Sequence, residues 1–224
     1  MQRNLSPWKN IKAGNIPTIE LDPVIYRYIS PGCRILDIGC ANGKVSIPLA
    51  LHGYFVTGID INTDILRTAR SSSEQKNSSH TPSFVKANAS ILPFPGATFD
   101  VAFMQALLGT VVSKDGRARV IREVCRVLKP QGHIYIADFG QTWRSKIYRE
   151  RYINGLPVTK EEGSFLAYDE DTGEVAYTAH HFTEKELVLL LVENGFEVEY
   201  FRNDRFVTRT GNRVNGFVIV AQKV

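Results

Sequence analysis

The chain has 224 residues, 43% of them hydrophobic and 22% charged, with a net charge of +4: enough for a packed core, and too mildly basic for a dedicated nucleic-acid binder. Its one basic cluster, Arg144, Lys146, Arg149 and Arg151, reads as a solvated helix face. Cys33, Cys40 and Cys125 make no CxxC pair, which excludes a disulfide framework or a zinc site of that kind, and no stretch has signal-peptide or transmembrane character, so a cytoplasmic protein with no membrane partner is expected.

From residue 33 to 139, short apolar runs alternate with amphipathic ones. RILDIG (34–39) reads as a buried strand, followed by a helix over about 44–52 that Gly53 ends. YFVTGID (54–60) is a second strand and 63–73 a second helix, leading into a polar surface loop over 71–82. SFVKA (83–87), TFDVAFM (98–104) and GHIYIADF (132–139) are further strands. A helix over 116–128 precedes the last of these and stops at Lys129-Pro130-Gln131-Gly132. This alternation predicts a doubly wound α/β sheet, mostly parallel and covered on both faces.

Residues 140–182 break the rhythm and are expected to form a lid over a substrate. Within them FLAY-DEDTG-EVAY reads as a hairpin with a charged turn, because its glycine is misplaced for a calcium loop. At Thr183 the pattern resumes. Thr183 and Glu186 form a capping box, and Phe182 and Leu187 a hydrophobic staple, opening a helix to about 194 that Gly195 ends. FEVEYF (196–201) and NGFVIVA (215–221) are the last strands. The whole of 1–224 is expected to be one domain, with a helical cap over 1–30 and the lid over 140–182.

The loop after the first strand, ILDIGCANGK (35–44), spaces its small residues as Gly39-x-Ala41-x-Gly43. That fits neither the dinucleotide fingerprint nor the phosphate loop. Asp37, two residues before Gly39, would repel a pyrophosphate but attract an ammonium or a sulfonium. Asp60, closing the second strand, is suited to accept from both hydroxyls of a ribose. A ribose, a positive charge and no phosphate are together the properties of S-adenosylmethionine.

With NASILPFPGATFD and VIREVCRVLKPQGHIYIADF, these residues resemble the class I S-adenosylmethionine-dependent methyltransferases, above all their small-molecule enzymes. The resemblance runs over about 35–139 and more loosely over 182–221. It implies a Rossmann-like methyltransferase fold with seven strands and a final antiparallel hairpin. S-adenosyl-L-methionine is the implied cofactor and S-adenosyl-L-homocysteine the product. In that reading Asp37, Gly39 and Gly43, with Cys40, line the methionine end, Asp60 holds the ribose, and Ile61 packs on the adenine. Asn88, where the family usually has an aspartate, keeps one acceptor for the adenine amino group, with Ala89 beside it. Met104 and Gln105 face the sulfonium and the acceptor. Ala41 stands where a glycine is frequent, and its methyl is tolerable if the backbone avoids positive φ.

The resemblance implies transfer to an O, N or C atom of a small acceptor by in-line displacement. Such chemistry needs positioning and exclusion of water, and a base only where the acceptor must lose a proton. His180 and His181 are candidates for a base or an acceptor ligand, or decorate the start of the following helix. Asp138 orients an acceptor or caps a turn. The lid aromatics Trp143, Tyr148, Tyr152, Phe165, Tyr168 and Tyr177 wall an apolar or aromatic acceptor or form the lid's own core. No metal and no nucleic acid are expected, and the protein is a monomer or a homodimer. A non-catalytic cofactor-binding regulator or scaffold, and an RNA or protein methyltransferase docking through 144–151, are the alternative readings.

Overall fold

A computed structural model describes residues 19–76, 78, 80–168, 172–208 and 210–224. Trp8 and most of the expected 1–30 cap lie outside them, as do residues 169–171 of the charged turn. The described part of that cap holds a short 3-10 helix, Pro23–Arg27, capped by the Asp22 carboxylate.

The first half runs β1 (Arg34–Ile38), α1 (Ser46–Leu51), β2 (Phe55–Asp60), α2 (Thr63–Glu74), β3 (Ser83–Lys86), β4 (Phe99–Gln105), α3 (Lys114–Val127) and β5 (Leu128–Phe139). α4 (Lys146–Thr159), β6 (Ser164–Tyr168), β7 (Val175–His180), α5 (Glu184–Val192), β8 (Phe196–Val207) and β9 (Arg213–Lys223) follow. Seven strands form one sheet in the order β3-β2-β1-β4-β5-β9-β8, parallel through β5 and antiparallel at β9 and β8. β6 and β7 pair only with each other, as the expected hairpin. The chain leaves β1 toward one edge and returns to its other side at β4, so the strand order reverses between these two. Ligand crevices of open α/β sheets form there, at the carboxyl ends of the strands.

The pleat sorts β4 between two cores. Ala102 and Met104 join Leu36, Ile38, Val120, Val124, Leu187 and Leu191 under α3 and α5. Val101 and Phe103 join Ile25, Ile35, Tyr135, Tyr148 and Tyr152 on the opposite face. A register shift between Phe99 and Val101 breaks the alternation at the strand's start.

Several elements differ from expectation: β8 runs past 201 to Val207 and β9 is longer at both ends. α3 begins at Lys114, because Ser113 Oγ accepts from Gly116 N. β5 follows directly from α3 at Leu128, with Gln131 at a φ of +60°, so 129–132 belongs to the strand rather than to a separating turn. α4 was expected only as a solvated helix face over 144–151, yet it runs to Thr159 and buries one side. Its buried face is Tyr148, Tyr152 and Gly155, while Ile147, Ile153, Leu156 and Val158 are exposed. The apolar residues therefore lie off the packed face and give no amphipathic signal. Gly155 is required there: a Cβ would stand 2.5 Å from Ser164 O on β6.

Candidate active site

At the end of β1 the chain must turn sharply to reach α1. Gly39 and Gly43 do so at φ of +75° and +81°, and a Cβ on Gly39 would lie 2.9 Å from Leu107 Cδ1. The N–H groups of Gly39 and Cys40 both donate to Ile59 O, at 2.8 and 2.9 Å, which fixes the loop against β2. Ala41 departs from expectation, with a φ of +48°. For an L-residue this costs about 1–2 kcal/mol, and the Ala41 N–H is held by Asp60 Oδ2 at 3.2 Å. The Cys40 side chain is buried, and burial pushes its thiol well above the ordinary range, so it is no nucleophile.

Two carboxylates flank this loop. Asp37 is buried, and its Oδ2 accepts from Ser46 Oγ at 2.5 Å. Burial raises its pKa to about 6; the Ser46 bond opposes this and the Asp60 charge adds to it. Asp60 accepts from Asn62 N at 2.9 Å through Oδ1 and from Ala41 N through Oδ2, and burial raises it despite these bonds. Two mutually repelling, partly dried acids are an electrostatic seat for a cation. Ile61 follows at half burial, and Asn88 is exposed at the end of β3 with its Oδ1 accepting from Ser90 N at 2.9 Å. Ala89 packs partly against the core.

The end of β4 encloses the two residues expected there. Met104 is fully buried in the core, so its side chain is not open to a ligand. Gln105 is turned toward the Tyr135 hydroxyl, and its buried Nε2 has no other partner among the described residues, so it too is closed to a ligand. Glycines at positive φ and paired acids at the switch point together fit S-adenosylmethionine.

Beyond the ends of β4 and β5, a cavity of about 410 Å³ opens between the sheet and the β6–β7 hairpin, and Asp138, Phe139, Tyr148, Arg151, Phe165, His180 and His181 are among its walls. Asp138 is fully buried, accepting from Gly109 N at 3.2 Å and from Phe139 N at 2.8 Å. It therefore holds the 3-10 turn Leu108–Thr110 in place, and burial raises it to about 6. Gly109 lets the hairpin approach: a Cβ there would stand 2.6 Å from His180 O.

Being consecutive in extended chain, the two histidines point to opposite sides. His180 Nδ1 is 2.8 Å from Ser164 Oγ and Nε2 is 3.0 Å from Glu186 Oε2. Ser164 Oγ donates to Glu161 Oε2 at 2.9 Å, and the buried Arg117 pairs with Glu161 and lies 3.6 Å from Glu186. Neither ring nitrogen of His180 is open to take a proton from an acceptor, which removes the base role. Glu161, His180 and Glu186 have the donor set of a metal site, but the Arg117 guanidinium already supplies their positive charge. The capping box is accordingly half-formed: Thr183 Oγ1 accepts from Glu186 N at 3.2 Å, while the Glu186 carboxylate turns to His180 and Arg117.

His181 sits in an aromatic box, stacked between Phe139 and Tyr148 at 5.5 and 5.1 Å. Its Nδ1 is 2.8 Å from Tyr152 Oη, which accepts from Thr142 N, so the phenol proton is assigned to Nδ1 and the ring's own proton to Nε2. Burial, then the charges of His180 and Arg151, lower its pKa to about 3. At neutral pH it is a hydrogen-bond donor and not a base.

Sequence reasoning missed Arg117 and Glu161 and placed Arg151 in solvent. Arg117 had a signal: it shares the helical phase of Val120, Ile121 and Val124, where a charge is out of place. Arg151 had none, because the aromatics it covers come from α4 and β6.

A methyltransferase-domain family model matches residues 36–136. The solved structure of a methyltransferase from Methanosarcina mazei is similar at 48% identity and a TM-score of 0.87, over 92% of this chain and 99% of that one. A ubiquinone/menaquinone biosynthesis C-methyltransferase of Shewanella frigidimarina is 31% identical over 76% of this chain and 69% of its own length. An O-methyltransferase of Aspergillus nomiae is 35% identical over 48% of this chain, which spans only 47% of that protein. With the cofactor seat at the β1–β4 switch point and these relatives, the chain belongs to the class I S-adenosylmethionine-dependent methyltransferases.

Proposed function

We propose that the protein methylates a small planar or apolar acceptor, at an O, N or C atom, within the cavity at the ends of β4 and β5. The observation that carries this is the cavity itself: about 410 Å³, walled by Tyr148, Phe165 and the stacked His181, and reaching Ala106 just past the end of β4. It suits one or two rings. The similar proteins named above act on carbon and on oxygen, so they leave the acceptor atom open.

Bound S-adenosylmethionine supplies an activated methyl on a sulfonium. The protein positions and dries the site: Asp37 faces the ammonium, Asp60 the ribose, Ile61 and Ala89 the adenine, and the backbone of Gly39, Cys40 and Gly43 the methionine chain. Asn88 offers what remains of its amide. Residues 140–182 act as the lid, and His181 Nε2–H donates to the acceptor rather than taking its proton.

Incubation with methyl-labelled cofactor and a panel of phenols, quinols and heteroaromatic amines is expected to yield labelled small product. Label found instead in RNA or protein fractions would overturn the reading. A pH test addresses the cofactor side. Burial favours the neutral form of Asp37, so the free protein loses stability as pH rises from about 4 to about 6, while a bound ammonium favours the carboxylate. Affinity for S-adenosylmethionine is therefore expected to fall as pH drops through about 6. Asp37→Asn should flatten that profile in calorimetry, and an unchanged slope would remove Asp37 from the ammonium.

A further inference from the structure

We infer that Arg151 is a specificity-determining residue and that the acceptor carries an anionic group, a carboxylate or a phenolate, on a planar ring. The inference rests on the cavity being the acceptor site, and goes on to the chemistry that site selects.

Arg151 projects from α4 into the cavity wall. Its guanidinium carbon lies 5.0 Å above the Tyr148 ring and 5.6 Å from that of Phe165. Two ring faces hold the planar fork in one orientation, so little freedom is lost when it receives a ligand. Among the described residues it makes no ion pair and no hydrogen bond. The carboxylate among the described residues of the cavity wall is that of Asp138, occupied by the backbone N–H groups of Gly109 and Phe139. The buried Arg117, by contrast, is taken up by Glu161 and Glu186.

A second donor works with it. His181 shares the aromatic wall, 5.1 Å from both Tyr148 and Phe165 between ring centroids, and presents Nε2–H as the nitrogen left for a ligand. Arg151 and His181 are thus a cation and a neutral donor set against the same two rings. Aromatic faces accept a planar ligand; the fork and the imidazole N–H select one with an anionic oxygen. A neutral, fully apolar acceptor would leave the arginine without a partner on the ligand.

The test is calorimetry on the full chain loaded with S-adenosylhomocysteine, using benzoate and 2-naphthoate against their uncharged partners benzamide and 2-naphthamide. The carboxylates are expected to bind at least about tenfold more tightly than the amides. Arg151→Met keeps the stem packed on Tyr148 and Phe165, and should remove that preference while leaving the amides and the cofactor product unaffected. Arg151→Lys should restore part of it, a point charge without the fork. Equal affinity for acid and amide in the wild type, failure of both carboxylates to bind, or a preference that survives Arg151→Met would each overturn the inference. The two readings fail separately. Label transfer to neutral acceptors, unaffected by Arg151→Met, would keep the methyl-transfer reading and sink this one. An Arg151-dependent carboxylate preference with label found only in RNA or protein would do the reverse.

Discussion

Replacing Asp60 with alanine is expected to weaken S-adenosylmethionine binding by about tenfold or more, since hydrogen bonds to a charged acceptor contribute about 1.5–3 kcal/mol each. Two losses combine in this variant. Each carboxylate oxygen holds one backbone N–H, of Asn62 and of Ala41, and has a further lone pair for a ribose hydroxyl. Without Oδ2 the Ala41 N–H has no partner to hold that residue at a φ of +48°, so the glycine loop relaxes as the ribose contact disappears. Asp60→Asn keeps one acceptor and should fall between wild type and Asp60→Ala. Calorimetry with the cofactor and with its demethylated product checks the order of the three. Undiminished affinity in the alanine variant would end the ribose assignment.

The largest expected loss of stability comes from Arg117→Met, about 3–5 kcal/mol, because removing one member of a buried ionic group strands its partners. The Arg117 side chain is 2% exposed, pairs with Glu161 and Glu186, donates to Val111 O at 3.1 Å and lies 5.5 Å from the Phe182 ring. It joins α3 to the segment before β6 and to α5, so its loss should free the hairpin first. The melting temperature is expected to drop by about 6–20 °C. Adding Glu161→Gln should recover part of the loss by removing a stranded charge. A single-variant loss below about 1 kcal/mol would mean that the cluster is more hydrated than its burial implies.

The sheet was legible in the sequence because its central strands β1, β4 and β5 are largely buried on both faces and two of the helices end at a glycine. Gly53 and Gly195, at φ of +88° and +87°, fall where the helix ends were expected. The place of Asp37, Gly39, Gly43 and Asp60 was legible for a related reason: they lie at strand ends or in the loop just beyond, where sequence position nearly fixes spatial position. The acceptor side depends on contacts between segments far apart in the chain. Arg151 meets Phe165 and His181 meets Tyr152 only after α4 has folded back on the hairpin, and α4 turns its tyrosines inward and its isoleucines outward. An adjacent His-His pair gave no hint that one ring would be enclosed in ions and the other in aromatics. The local pattern of Thr183 and Glu186 was read correctly as a helix start, yet the Glu186 side chain serves a partner that only the tertiary fold supplies.

The ends of the stretch between β5 and α5 lie side by side: Gly140 bridges Phe182, Gln141 N donates to Phe182 O at 2.8 Å, and Phe182 N donates to Phe139 O at 2.9 Å. The segment 141–181 thus leaves the sheet and returns to it through one doorway. Most of the cavity's aromatic wall, with Arg151 and both histidines, comes from the chain inside that doorway, and the residues assigned to the cofactor all come from outside it. On the proposed function, the acceptor half is therefore a single insertion, held to the rest of the chain through the contacts of Glu161 and His180 with Arg117 and Glu186. Grafting the corresponding segment of another methyltransferase between Gly140 and Phe182, with those two partners matched, is expected to change the acceptor and leave the source of the methyl group untouched.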